Sequence, residues 1–241
     1  MADEYERSAE FVDLMLAPHW AGLGPPLAAA LRGITDPIVD VGAGGGHGTR
    51  VIAKAAPGAE IVAVEPSMAL RSILLARVGE AGELRERVTV LPEHLLAAAL
   101  PSRLGAVVAM NVLGHFDPAG RQAAWKMLAD RLVPGGRAVL NLQPPAEPAA
   151  VPESRFAEVR IGRRRYEGWG RAEPAGPDLI TWHMTYRTYQ DDRPAGELET
   201  RYDWWVLDER RLKEELGPHG LVHHRTGPAE LGMYVIDRGG A

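Results

Sequence analysis

The sequence predicts an α/β fold: an open, mostly parallel sheet flanked by helices, with an antiparallel β insert after the fifth strand. Three observations predict it. A β-branched stretch, Ile38 to Val41, runs into five glycines within seven positions, Gly42 to Gly48, and then into a helix. Short apolar runs alternate with helical stretches from there to residue 142, the rhythm of repeated strand–helix–strand units. At Gln143-Pro144-Pro145 that rhythm breaks and β-rich, aromatic runs take over.

In order along the chain, Tyr5 to Ala17 have helical spacing, with Phe11, Leu14 and Met15 near one face, and Pro18 ends the run. A second helix is predicted from Pro25 to Leu31, with Gly33 as its stop. These make an N-terminal unit, residues 1–35, ahead of a core at 36–142. The core opens on the glycine turn, where backbone bends sharply and a ligand can approach it, and the free N–H groups of the next helix favour an anionic or polar ligand group. Counting from Gly42, the sixth position is His47, so the Gly-x-Gly-x-x-Gly dinucleotide fingerprint fails, and no Gly-Lys-Ser/Thr follows to make a phosphate loop. What stands there is Asp40-x-Gly42-x-Gly44-x-Gly46.

Glu60 to Glu65 reads as a second strand ending in an acid, placed to accept hydrogen bonds from ribose hydroxyls. Ser67 is the expected N-cap of the next helix, and Met68 offers a soft, polarizable face. Arg87 to Leu91 is the third strand, followed by Glu93-His94-Leu95. Gly105 to Met110 is the fourth, apolar on both faces as a central parallel strand should be. At its carboxyl end stand Asn111 and His115, where open α/β sheets place their chemistry. Histidine titrates near neutrality, so His115 is the first candidate for a general base and His183 the second; a loop-ordering role is the alternative for His115. A helix from Pro118 to Leu132 and a Pro134-Gly135-Gly136 turn lead to the fifth strand, Ala138 to Leu142.

In the insert, residues 143–206, three strands are expected after a linker: Arg163 to Trp169, Leu179 to Gln190 and Glu197 to Val206. Eight of the twelve Trp and Tyr residues fall between Tyr166 and Trp205, so this region reads as a roof over an acceptor, a dimer sheet, or both. Arg155, Arg160, Arg163, Arg164 and Arg165 read as a charged edge, with phosphate contact as the alternative. The chain closes with a helix capped by Asp208 and two strands, residues 207–241.

The glycine pattern resembles motif I of the class I S-adenosylmethionine (SAM) methyltransferases. The phrase Leu132-Val133-Pro134-Gly135-Gly136 resembles the turn before the fifth strand in the same family. The layout with an insert resembles that of amino-sugar N-methyltransferases from natural-product pathways. The resemblance implies SAM as cofactor, S-adenosylhomocysteine as its product, and the helices of residues 1–35 as a lid over it. It implies cofactor contacts from Tyr5, Asp40, Gly42, Ala43, Gly44, Gly46, Glu65, Pro66, Met68, Glu93, His94, Leu95 and Asn111. An acceptor would then meet Trp20, His115, Trp182, His183 and Tyr186. Two departures stand out: Phe11 replaces a lid tyrosine of the family, and Glu93-His94 replaces its adenine-binding Gly-Asp-Ala.

Composition limits the other readings. Cysteine is absent, which excludes disulfides and thiolate metal sites, and no ligand spacing suggests a metal. Net charge is −5, from 27 basic and 32 acidic residues, against a nucleic-acid partner. No apolar run is long enough to cross a bilayer, so a cytoplasmic enzyme on a small-molecule acceptor is expected, with a homodimer through the insert as an option. A SAM-binding regulator is the alternative function, and a protein or RNA methyltransferase a more distant one.

Overall fold

The computed structural model describes residues 3–239; the outermost two residues of the expected first and last units lie outside the described residues. The strands of the core are β1 (Ile38–Val41), β2 (Ile61–Val64), β3 (Val88–Leu91), β4 (Leu104–Ala109) and β5 (Leu132–Asn141), with β10 (Leu221–Arg225) and β11 (Met233–Arg238) from the end of the chain. They form one seven-stranded sheet in the order β10-β11-β5-β4-β1-β2-β3, parallel except for the pairings of β11 with β5 and of β10 with β11. The direction of strand addition reverses between β1 and β4, so a crevice opens at their carboxyl ends.

Alternation along the strands explains how one sheet holds two cores. Ile38, Ile61, Ala106, Val108 and Val139 face α2 (Trp20–Ala30), α3 (His47–Ala55) and α4 (Met68–Glu80). Their neighbours Val39, Val62, Val107, Ala138 and Leu140 face α6 (Pro118–Arg131) and α7 (Glu209–Leu216). Ser67, Asp117 and Asp208 cap α4, α6 and α7 by accepting backbone N–H bonds from Leu70, Gly120 and Arg211. A short helix, α5 (Gly82–Arg87), fills the connection before β3 and was not expected from the sequence.

Two expectations need correction. The first helix, α1 (Ala9–Leu16), does end ahead of Pro18, but a 3-10 turn, Ala17–His19, leads directly into α2, which starts at Trp20 instead of Pro25 and carries Pro25 and Pro26 inside it. The prolines sacrifice two backbone donors, and buried Leu23 and Leu27 hold the helix to the core regardless. The insert has four strands: β6 (Val151–Ile161), β7 (Arg164–Pro174), β8 (Leu179–Gln190) and β9 (Arg193–Trp205), an antiparallel meander in that order. β6 read as a linker because it is an edge strand of mostly exposed, charged residues. Most of the expected basic run is paired: Arg155 and Arg165 with Glu167, Arg160 with Asp192 and Arg163 with Asp191, as a charged edge would have it.

The inner face of the meander meets α1. Phe11 stacks on Tyr186 with ring centroids 5.0 Å apart, and Met15 and Met184 complete that cluster. Thus α1 lies between the insert and the glycine turn of the core.

Candidate active site

Gly42, Gly44 and Gly46 all have positive φ (61°, 57° and 93°), the conformation that lets the turn after β1 fold back before α3. A Cβ at Gly44 would meet only a backbone oxygen 3.9 Å away, so the outer face of that turn is open to a ligand. Gly46 caps α3 without a side chain, leaving the helix N-terminus free. Asp40 does not face this opening. It is buried and accepts the Thr49 hydroxyl at 2.6 Å, tying β1 to α3. Burial, helped by the Glu65 charge and opposed by the Thr49 hydrogen bond, pushes its carboxyl up to about 7.

Glu65 closes the other side. One carboxylate oxygen accepts the Gly44 N–H and the other the Ser67 N–H, each at 2.8 Å. A carboxylate offers about four acceptor sites, so two remain for the two hydroxyls of a ribose. Burial raises its pKa against the pull of those two backbone bonds. The open glycine face, the free helix end and this half-used carboxylate fit the nucleoside and amino-acid portions of SAM. Pro66 and Met68 are exposed beside it. Asp3 lies across the start of α4, accepting the Ser67 hydroxyl at 2.9 Å and the Met68 N–H at 3.1 Å.

Further along the edge, Asn111 adopts φ 58° and exchanges two hydrogen bonds with Asn141. Its N–H donates to Asn141 Oδ1 at 2.6 Å, and Asn141 Nδ2 donates to its Oδ1 at 2.8 Å. This joins the ends of β4 and β5 and fixes the segment leading to His115. His115 Nε2 lies 2.8 Å from the Tyr5 hydroxyl, and Nδ1 lies 3.4 Å from Glu4 Oε2. Trp204 packs edge-on to its ring at 5.0 Å, and Tyr202 lies 5.9 Å from His115 and 6.2 Å from Tyr5. Burial, reinforced by Tyr202 and Glu4, pushes the Tyr5 phenol well above its usual range, so it is a neutral hydroxyl.

Several expected site residues stand elsewhere. Tyr5 joins His115 at the carboxyl end of β4, because the turn before α1 crosses the crevice. His183 pairs with Glu173 at 2.8 Å on the face of β8 opposite Trp182, where it lines a cleft with Glu4, Glu6 and Arg201. Tyr186 is buried against Phe11, and Trp182 packs between the two clusters of the insert. Trp20 covers Gly48, where a Cβ would come within 2.8 Å of its ring, so it braces α3. Leu95 is buried in the sheet core, while Glu93 and His94 are exposed after β3. Glu4, Tyr202, Trp204 and Asn141 were missed. Tyr202 and Trp204 alternate on one strand face, but nothing in the sequence tells which residue that face opposes.

Residues 39–138, the stretch that carries the glycine turn, Glu65 and Asn111, match the family model for the methyltransferase domain. With this sheet order and this crevice, the chain has the Rossmann-like fold of the class I SAM-dependent methyltransferases. Among solved structures it is similar to the SAM-bound amino pentose methyltransferase from Micromonospora echinaspora involved in calicheamicin biosynthesis, at 17% identity and TM-score 0.72 over 99% of this chain and 98% of that one. It is also similar to a sugar N-methyltransferase from Streptoalloteichus sp., at 17% identity and TM-score 0.70 over 91% of this chain and 87% of that one. A third is DesVI of Streptomyces venezuelae, at 18% identity and TM-score 0.72 over 94% of this chain and 97% of that one. Among curated proteins, none matches by sequence. At these identities the structural likeness speaks for the fold.

Proposed function

We propose that the protein N-methylates an amino group on a small, sugar-like acceptor. The observation that carries this reading is the chain Glu4–His115–Tyr5 beneath Tyr202 and Trp204, at the carboxyl end of β4. When bound, SAM supplies a methyl group already activated by its sulfonium. The protein therefore needs to align the acceptor and free its lone pair, more than to supply a strong electrophile.

An amine reaches the site mostly as an ammonium and must lose a proton before it can attack. The Tyr5 hydroxyl can accept from the amine while donating to His115 Nε2, and the Glu4 carboxylate beside Nδ1 balances the imidazolium that results. Asn111 and Asn141 hold the backbone that carries this group, and the rings of Tyr202 and Trp204 offer flat faces to a pyranose-like acceptor. The named activity of the sugar N-methyltransferase of the same fold supports the choice of nitrogen over oxygen.

The test is transfer of a labelled methyl from SAM to a panel of amino sugars and their matched hydroxyl analogues, read by mass spectrometry. Methylation of the amines alone is the expected result; methylation of the hydroxyl analogues alone would replace this reading with O-methylation.

The same reading includes a cytoplasmic homodimer pairing through the insert, supported by the exposed edge strand β6 with Phe156 and Ile161 on its surface. Among the described residues no helix is long and apolar enough to cross a membrane. Light scattering at twice the chain mass is the expected result, and a monomer at micromolar concentration contradicts it.

A further inference from the structure

His47, which spoils the dinucleotide fingerprint, is part of a polar cluster that the reaction does not use. Its Nε2 lies 3.2 Å from both the Asp13 carboxylate and the Asp13 carbonyl oxygen. The same carboxylate takes a two-pronged pair of bonds from Arg77 of α4, each 2.6 Å. Arg77 also donates to the Gly45 carbonyl oxygen. One carboxylate on α1 therefore gathers the glycine turn, the first residue of α3 and the last turn of α4. Any Cβ at Gly45 would collide with the Asp13 carboxylate, so the glycine there serves the approach of α1 and not that of the cofactor. Asp13 is 12% exposed and Arg77 25%, enough shielding to keep the pair from being dispersed by solvent. Burial alone would raise the Asp13 carboxyl; the hydrogen bonds from His47 and Arg77 outweigh it and hold it at about 2.

The opposite side of α1 is held by apolar contact, Phe11 and Met15 against Tyr186 and Met184. The turn hanging from the start of α1 delivers Asp3 to the head of α4 and Tyr5 to His115. Asp3 thereby lies against the head of α4 beside Glu65, and Tyr5 against His115, so this turn spans the crevice from one end to the other. We propose that Asp13, Arg77 and His47 form a latch that holds α1 and its leading turn closed over the cofactor crevice, making Asp13 and Arg77 positioning residues for cofactor retention. The proposal rests on the assignment of the crevice to SAM.

The test uses the full chain. Titration calorimetry with SAM and with S-adenosylhomocysteine compares wild type with Asp13→Asn, Arg77→Met, Arg77→Lys and the Asp13→Asn/Arg77→Met double variant. Each of the first two is expected to weaken both ligands by about tenfold, through faster dissociation in stopped-flow displacement. Arg77→Lys, which keeps the charge but not the fork, should fall between wild type and Arg77→Met. The double variant should be no weaker than either single one, because the partners act as a unit. Hydrogen exchange on the free proteins should show faster exchange in residues 9–16 of the variants, with β4 and β5 unchanged. Wild-type affinity in the single variants, or losses that multiply in the double one, would overturn the latch. Unaltered exchange in α1 would do so as well, whatever the ligand data. A wild type that binds neither ligand would overturn the cofactor assignment itself, and with it the retention role.

Discussion

His115 has one ring nitrogen on a neutral phenol and the other beside a carboxylate, an arrangement that suits the tautomer with Nδ1–H toward Glu4 and Nε2 accepting from Tyr5. Removing the imidazole should lower turnover by roughly 10²-fold while SAM affinity stays within about twofold. Tyr5→Phe, which keeps the ring but breaks the relay, should cost less than His115→Ala. Steady-state kinetics with a methylated amine, alongside SAM titration, checks both; unchanged turnover of His115→Ala removes it from the chemistry. Asp40 is the residue for a pH test. Its folded pKa, about 7, lies above its ordinary value of 3.8. Such a carboxyl contributes stability that is complete below about pH 4 and is lost as pH rises to about 7. Asp40→Asn keeps an acceptor for Thr49 and cannot ionise. Relative to wild type, it should gain stability between pH 4 and pH 7 and gain no more above pH 8. The conversion is about 1.4 kcal/mol for each tenfold in proton affinity, a few kcal/mol at most. Urea unfolding across that range is the measurement, and a parallel pH dependence of the two proteins contradicts it.

Among the elements, the 3-10 turn Leu113–His115 and the strand β9 depend on one another. Gly114 is buried against the Trp204 indole, and a Cβ there would collide with the ring. Gly114→Ala should therefore displace Trp204 from the side of His115, costing about 1–3 kcal/mol of stability and most of the activity. Thermal unfolding and a change in tryptophan emission would register it. A wild-type emission spectrum with full activity would mean that the turn moves without the strand. This dependence marks where sequence reading stops. The strand–glycine–helix unit is legible because its signals are local: β-branched residues, then glycines, then a helix that stops at Pro57. The two-residue alternation of β9 is local too. Its register against β8, which pairs Trp204 with Ile180 and Tyr202 with Trp182, is a relation between distant segments, and so is the meeting of β9 with His115. β6 escaped because an exposed edge strand lacks the apolar run by which strands are recognised.

At the scale of the whole molecule, the crevice is made of three parts that the chain supplies far apart. Glu65 and the glycine turn come from the core, His115 from the loop after β4, and Asp3, Glu4 and Tyr5 from the segment before α1. Core motifs were readable because each lies within one strand–helix unit. The meeting of Tyr5 with His115, 110 positions away, has no trace in the pattern around either residue. The assembly predicts that cofactor binding and chemistry separate cleanly in thermal shift. A ligand at 100 times its Kd stabilises the folded state by about 2.7 kcal/mol, which in a chain of this size raises Tm by roughly 5–10 °C. His115→Ala should keep that shift with SAM, since the proposed function gives its side chain to the acceptor. Glu65→Ala should lose most of it, because the two free acceptor sites go with the carboxylate and the Gly44 N–H loses its partner. Equal shifts in the two variants would mean that the division drawn between the Glu65 end and the His115 end is wrong, and that both residues touch the same ligand.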